Sequence, residues 1–207
     1  MIEITKPHVD GFEAAFRGMR NPMDSWERSD SLFGKEMVNI GEKDMELAKK
    51  LIRGGSVHSK FLRMINVTAD VKAPMYWWKE YDTYKVGTVA NSCSTMHKIH
   101  AKKLTLDDFS TDHMNEESLA ALQYIIVLLN CNRDKFNETK DKEAWWQMIQ
   151  MLPMSYNQLR TVQLNYEVLR NIYCWRKDHK LDEWHVFCDW IKILPYSELI
   201  TEGIDTE

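Results

Sequence analysis

The sequence predicts an α+β fold, with a small twisted sheet flanked by helices and a helical second half of the chain. Between Ile65 and Lys72, apolar and polar residues alternate strictly, which is typical of a strand with one buried face. In the second half, apolar residues recur every three or four positions, as they do on the buried face of a helix. Together the two patterns predict a mixed fold rather than an all-helical one.

The first half of the chain contains one more predicted strand and three predicted helices. Asn21-Pro22 ends the first helix, because proline disfavours the helical conformation in the residue before it. Gly54-Gly55 ends the second helix, and Pro74 begins the third, where its missing N–H is tolerated. A polar segment, Gly87 to Thr95, follows. The predicted bounds are residues 2–6 for the strand and 11–20, 42–53 and 75–85 for the helices.

Four helices are predicted in the second half. Asn115 precedes an amphipathic run and suits the start of a helix, and Pro153 and Pro195 end two of the others. The predicted bounds are residues 115–129, 140–151, 159–173 and 183–194.

Length and composition predict a single domain covering residues 1–207. A chain of 207 residues with 44% hydrophobic content can bury about 70% of the surface that its unfolded form exposes, so it needs no disulfides for stability. No internal repeat, low-complexity tract or linker divides it.

Cysteine and histidine spacing predict no metal site. The four cysteines lie far apart without a C-x-x-C pair, so we expect reduced thiols. His97 and His100 would share one helical face, but no third ligand accompanies them.

Charge and hydropathy argue against nucleic acid and membrane as partners. The net charge of −4 gives no basic surface for a phosphate backbone. The longest apolar stretch, Leu119 to Leu129, is well short of the roughly 20 residues that span a bilayer. Because the N-terminal segment has no cationic start followed by an apolar core, we expect a cytoplasmic location.

Two segments of the sequence resemble the flavin-dependent thymidylate synthases. His58 stands where that family has the histidine opening an H-x-[ST]-x-x-E-H stretch, and Val71-Lys72-Ala73-Pro74 resembles the family's strand-to-helix junction. The second segment runs from Leu152-Pro153 through Asn165 and Asn171 to Arg176. The length also fits the family, so the resemblance covers most of the chain.

The resemblance implies an FAD-dependent enzyme that converts dUMP to dTMP, with NADPH and methylenetetrahydrofolate as co-substrates. It implies a catalytic and substrate-binding role for Arg176, which would contact the uracil base. The chain would assemble as a homotetramer, because the family builds each flavin site from several subunits. The residues expected at the cofactor are His58, Lys85, Thr88, Asn165 and Asn171, and those expected at the nucleotide are Glu80, Asn91 and Arg176.

The family's signature R-H-R-x-x-S is altered in this chain. It falls on residues 83–88, where Lys85 is the remaining cation. Arginines expected further on fall on Thr95 and Ile149, and the glutamate of the earlier stretch becomes Arg63. Because a nucleotide monophosphate is usually held by arginines or clustered backbone N–H groups, these changes should weaken phosphate binding.

Two alternatives therefore stand beside the synthase. One is a catalytically inactive protein of the same fold that binds a nucleotide or a flavin. The other is a structural or interaction protein whose aromatic residues form contacts between subunits.

Overall fold

The computed structural model describes residues 1–34 and 37–204, which form mixed strands and helices. The strands are β1 (Glu3–Asp10), β2 (Leu32–Phe33), β3 (Val38–Asn39), β4 (Asn66–Pro74), β5 (Val89–Ser92) and β6 (Asn157–Asn165). The helices are α1 (Phe12–Arg20), α2 (Glu42–Arg53), α3 (Met75–Tyr81), α4 (Thr95–Lys98), α5 (Glu116–Thr139), α6 (Lys142–Met151), α7 (Tyr166–Arg176), α8 (Asp182–Lys192) and α9 (Glu198–Thr201). Short 3₁₀ turns include Ser59–Met64. In the described ranges, no helix is long and apolar enough to cross a membrane.

Four strands form an antiparallel sheet in the order β1-β4-β6-β5. Backbone hydrogen bonds flank the central pair at both ends: Tyr166 N–H donates to the Ile65 carbonyl, and Met75 N–H donates to the Tyr156 carbonyl. The alternating residues in and just before β4 behave as predicted: Ile65, Val67, Ala69, Val71 and Ala73 are buried, and the residues between them are only partly buried. The α+β prediction is confirmed. Strands β2 and β3 pair separately, with Leu32 opposite Asn39.

The predicted helix over residues 159–173 is wrong in its first half, because residues 157–165 form the inner strand β6. The predicted helical spacing began at Leu159, which is 41% exposed in the structure, whereas Val162 and Leu164 are buried at the two-residue period of a strand. Helix α7 begins only at Tyr166.

Strand β5 was not predicted, because each of its residues is exposed and gives no alternating hydrophobic signal. Other predicted bounds were close: α2 matches residues 42–53, while α3 ends at Tyr81 rather than at residue 85. Helix α5 continues ten residues beyond the predicted end, to Thr139. In this extension the buried Asn130 amide exchanges two hydrogen bonds of 2.9 Å with the backbone of Leu104.

The described chain divides into two compact units. The first comprises Met1–Glu3, Val71–Thr83 and Asn91–Thr161, and the second comprises Ile4–Asp70, Tyr84–Ala90 and the residues from Val162 onward. The core of the first unit includes Leu122 and Leu129 from α5, Met148 from α6, and Phe109, which precedes α5 in the chain. A single domain over residues 1–207 stays a prediction.

The second unit contains a buried ion pair. Arg20 on α1 and Asp44 on α2 are 2.6 Å apart, and both side chains are almost fully buried. Ser29 and Ser31 also donate hydroxyl hydrogen bonds to the Asp44 carboxylate. Burial raises the pKa of Asp44, but the hydrogen bonds from the two serines and the arginine outweigh it and hold that pKa below its ordinary value.

Candidate functional site

Helix α7 in the second unit carries two of the predicted site residues, Asn171 and Arg176, and a third, Asn165, caps its start. The Asn165 carboxamide oxygen accepts a hydrogen bond of 3.0 Å from the Val168 N–H, the standard arrangement for an N-cap asparagine. Asn165 is also buried. Its side chain therefore holds the start of α7 in this chain.

The segment Tyr84–Ala90, which carries all of the altered signature except Thr83, passes close to the start of α7. Gly87 has a φ of +75°, and a Cβ atom placed there would lie 2.8 Å from the Asn165 amide nitrogen. A side chain would therefore meet both an unfavourable backbone conformation and a close contact. Glycine is therefore the residue that the structure accommodates best at position 87.

At the other end of α7, Arg176 is held by two aromatic residues. Its Nε donates a hydrogen bond of 2.8 Å to the Tyr84 hydroxyl. Its guanidinium lies 4.9 Å from the Trp184 ring centroid, within cation–π range. These contacts fix the orientation of Arg176 and join it to the signature segment.

The two other predicted residues of this segment differ in exposure and contacts. Lys85 is exposed. The Thr88 hydroxyl donates a hydrogen bond of 2.5 Å to the Tyr84 carbonyl, which closes the turn around Gly87. Lys85 and Thr88 thus lie on the segment that approaches Asn165 through Gly87 and is bonded to Arg176 through Tyr84.

A cavity of about 460 Å³ lies beside this segment, within the second unit. Among the predicted site residues, Asn171 lines it. Two exposed apolar side chains also line it: Trp175, which is 73% exposed, and Val86, which is 90% exposed. Sequence reasoning missed both, although Trp175 directly precedes Arg176, because no pattern in the sequence reports that a tryptophan is exposed.

The charges around this cavity largely cancel. Glu167 lines it and is paired with Arg63, whose Nη2 lies 3.1 Å from the glutamate oxygen while Nε contacts the second oxygen. Arg170 also lines it and donates a hydrogen bond of 2.8 Å to the Ile200 carbonyl. Partial burial lowers the pKa of Arg170 from its ordinary value, yet the group keeps its charge near neutral pH.

His58 lies at a different cavity of the same unit. That cavity has a volume of about 810 Å³ and is mainly apolar, with Met19, Leu51 and Phe61 in its lining. The His58 ring contacts Gly54, where an added Cβ would lie 3.2 Å from the ring. His58 is therefore not brought to the Asn171 cavity, although Ser59, the next residue, lines it.

The remaining predicted residues, Glu80 on α3 and Asn91 on β5, belong to the first unit. A cavity of about 410 Å³ in that unit is lined by Thr95 and Ile149, the two positions where the resemblance leads one to expect arginine. Its lining residues include no lysine, arginine, histidine, aspartate or glutamate in the part of the chain that is described. Glu80 and Asn91 are not among them.

Comparison with known proteins gives a match in structure but not in sequence. No protein-family model matches the chain. No curated protein matches it by sequence.

Many solved structures match this chain, and three of them cover almost its whole length. The flavin-dependent thymidylate synthase ThyX of Helicobacter pylori complexed with FAD and dUMP has a TM-score of 0.69 and 18% identity, covering 97% of this chain and 98% of that one. A second structure of Helicobacter pylori ThyX with FAD and dUMP has a TM-score of 0.68 and 19% identity, covering 98% of each chain. The UMP/dUMP methylase PolB of Streptomyces cacaoi bound with 5-Br UMP has a TM-score of 0.65 and 12% identity, covering 99% of this chain and 94% of that one. The chain therefore shares the fold of flavin-dependent thymidylate synthases along nearly its whole length.

Proposed function

We propose that this chain is a divergent flavin-dependent thymidylate synthase that methylates dUMP to dTMP. Methylenetetrahydrofolate would supply the carbon unit, and NADPH would supply the reducing electrons. The observation that carries the proposal is the fold match, over nearly the full length of both chains, to structures that hold FAD together with dUMP. A methylase bound to a uracil nucleotide analogue has the same fold, which supports a uracil substrate.

The Asn171 cavity fits the planar ring of a flavin. Its volume lies within the usual range of about 300–1,000 Å³ for ligand pockets. Trp175 and Val86 offer apolar surface for stacking, and the Asn171 amide can both donate and accept hydrogen bonds at the ring edge. Lys85, exposed on the neighbouring segment, is the cation that we assign to the flavin phosphate.

FAD, when bound, supplies the hydride chemistry. In this proposal Arg176 stabilises negative charge on the uracil ring, because a guanidinium stays charged and its orientation is already fixed by Tyr84 and Trp184. Asn165, which caps the start of α7 and lies beside Gly87, is assigned to the cofactor in the same proposal. We further propose that His58, Thr88, Glu80 and Asn91 complete the site in a cytoplasmic homotetramer, in which other copies contribute residues.

The first test is the visible absorption spectrum of purified protein after incubation with FAD and desalting. We expect near-stoichiometric flavin bands, which Trp175→Ala should strongly reduce. Trp146→Ala is the matched control, because Trp146 is also partly exposed but does not line the cavity. Flavin lost equally in both variants, or never retained, would contradict the assignment of this cavity.

The second test is formation of dTMP from dUMP, methylenetetrahydrofolate and NADPH, with a known flavin-dependent synthase assayed in parallel. We expect dTMP formation that disappears in Arg176→Ala. No dTMP from a flavin-loaded protein would remove the synthase activity.

A catalytically inactive flavin- or nucleotide-binding protein is the second candidate. It is favoured by the cavity at Thr95 and Ile149, which holds no charged side chain where the resemblance leads one to expect two arginines. Retained flavin and nucleotide binding without dTMP formation would identify this alternative.

A further inference from the structure

A second cavity in the first unit has the cations that the Thr95–Ile149 cavity lacks. Its volume is about 470 Å³, and three lysines line it: Lys72 on β4, Lys98 at the end of α4, and Lys102. One carboxylate, that of Asp108, lines it as well. With three lysines and one aspartate, the lining of this cavity carries a net positive charge.

The three lysines are not equivalent. Lys102 forms a salt bridge with Asp108, and the hydrogen bond to that carboxylate raises the pKa of Lys102. The Asp108 carboxylate also accepts the Thr105 N–H at 2.9 Å, so it is held in place by its own chain. Lys72 and Lys98 form no ion pair within residues 1–34 and 37–204. Neither ammonium group is therefore neutralised by a carboxylate of the described residues.

Hydrogen-bond donors accompany the lysines in this cavity. Tyr156 lines it, and burial, together with the nearby Asp108, raises the pKa of its hydroxyl, so that the phenol keeps its proton as a donor. Ser94 and Thr95 add hydroxyl groups. Ammonium and hydroxyl groups together are the donors that bind phosphate oxygens in proteins.

The lysine-lined cavity adjoins the uncharged one. Both are lined by Cys93, Ser94, Thr95 and Gln158. The Gln158 amide nitrogen is fixed between them by hydrogen bonds of 3.0 Å to the Cys93 carbonyl and 3.1 Å to the Thr95 hydroxyl. A neutral cavity and a cationic cavity thus share the segment from Cys93 to Thr95. The neutral cavity suits the uncharged base of a nucleotide, and the cationic cavity suits its doubly charged phosphate.

We propose that Lys72 and Lys98 form a phosphate-binding subsite for a pyrimidine nucleoside monophosphate, with Tyr156 as an additional donor. The proposal rests on the proposed function for the identity of the nucleotide, but the subsite itself rests on the lysine-lined cavity. In this chain the expected arginines are replaced by Thr95 and Ile149, which bring no charge to the neighbouring cavity. The proposal therefore assigns the phosphate to lysines.

The test compares binding of dUMP and deoxyuridine by isothermal titration calorimetry, in the wild type and in three variants. We expect the wild type to bind dUMP at least about tenfold more tightly than deoxyuridine. Lys72→Gln and Lys98→Gln should each weaken dUMP binding about tenfold and leave deoxyuridine binding unchanged. Lys103→Gln, the matched control, removes one positive charge from an exposed neighbour that does not line the cavity and should change neither.

Several results would overturn the subsite. These are equal wild-type affinity for the two ligands, no binding of either, equal loss of both in the Lys72 and Lys98 variants, or an equally large effect of Lys103→Gln. Tighter binding of a folate polyglutamate than of dUMP, lost in the same variants, would assign the lysines to a carboxylate instead. Circular dichroism of each variant establishes that it is folded.

Flavin retention separates this proposal from the proposed function. A protein that retains FAD but shows no lysine-dependent preference for dUMP loses the subsite and keeps the flavin site. A protein that binds dUMP through Lys72 and Lys98 but never retains FAD keeps the subsite and loses the synthase.

Discussion

Replacing Gly87 by alanine tests how closely the signature segment contacts helix α7. The substitution forces a residue with a Cβ into a φ of +75° and sets that Cβ 2.8 Å from the Asn165 amide nitrogen. Gly55→Ala is the matched control, since Gly55 has a φ of +91° but no atom within 4 Å of its added Cβ. The two variants share the backbone strain and differ in the contact.

The expected losses follow from these two terms. Left-handed backbone conformation in a residue with a Cβ costs about 1–2 kcal/mol, and both variants should lose this much unfolding free energy. In Gly87→Ala the Asn165 side chain must also move, which weakens its cap on α7, and loss of a cap costs about 1 kcal/mol. We therefore expect a total loss of about 2–3 kcal/mol for Gly87→Ala.

Urea unfolding followed by circular dichroism measures these losses, and thermal unfolding should place the Tm of Gly87→Ala about 3 °C below that of Gly55→Ala. The Gly87→Ala substitution is then repeated in an Asn165→Ala background, where the contact is gone. There we expect its effect to shrink by about 1 kcal/mol. An equal loss in the two glycine variants, or the same loss in both backgrounds, would refute the reasoning.

Three further predictions concern polar groups that are fully or partly buried. Asp44→Asn should lower the unfolding free energy by about 3 kcal/mol in urea, because it leaves its buried arginine partner uncompensated. The folded-state pKa of Asp44 is depressed, so the contribution of this carboxylate to stability is complete above the ordinary pKa of 3.8 and is lost as the pH falls from there through the folded-state pKa. Asp44→Asn should therefore flatten the acid side of the plot of stability against pH. An unchanged acid slope would contradict this. Tyr84→Phe removes the hydrogen bond to Arg176 and should slow dTMP formation roughly fivefold, the equivalent of about 1 kcal/mol, while FAD retention is unchanged; equal loss of both would indicate a purely structural role. Asn130→Ala should destabilise the protein by about 2–4 kcal/mol, as two buried backbone groups lose their partner, and amide exchange at residue 104 should accelerate; retained protection there would count against that pairing.

The elements that the sequence predicted correctly are those with a single possible period. The alternation in β4 fits no helix, and the apolar positions of α2 fit no strand. The helical spacing predicted from Leu159 onward counted an exposed residue as buried, and the pairing of residues 157–165 between β4 and β5 makes them a strand. Pairing of this kind depends on residues far away in the chain, which local periodicity does not report.

The residues assigned to the candidate site stay a prediction, and their arrangement could not be predicted from the sequence. The resemblance identified Asn171 and Arg176, yet it could not reveal that Arg176 is held by Tyr84 and Trp184. Exposure of Trp175 depends on what surrounds it in three dimensions. Likewise, Thr95 and Ile149 lie far apart in the sequence, and the cavity that they share emerges only from the fold.

The direct passage from strand β6 to helix α7 anchors the start of the helix. No loop separates them, since the strand ends at Asn165 and the helix begins at Tyr166, whose N–H is bonded to the Ile65 carbonyl. A helix attached in this way has no hinge at its start, so Asn171 and Arg176 should stay in place as a ligand arrives. The segment Tyr84–Ala90 approaches this anchored helix at both ends, with Gly87 near Asn165 and the Tyr84 hydroxyl bonded to Arg176, so α7 helps to set the position of the segment.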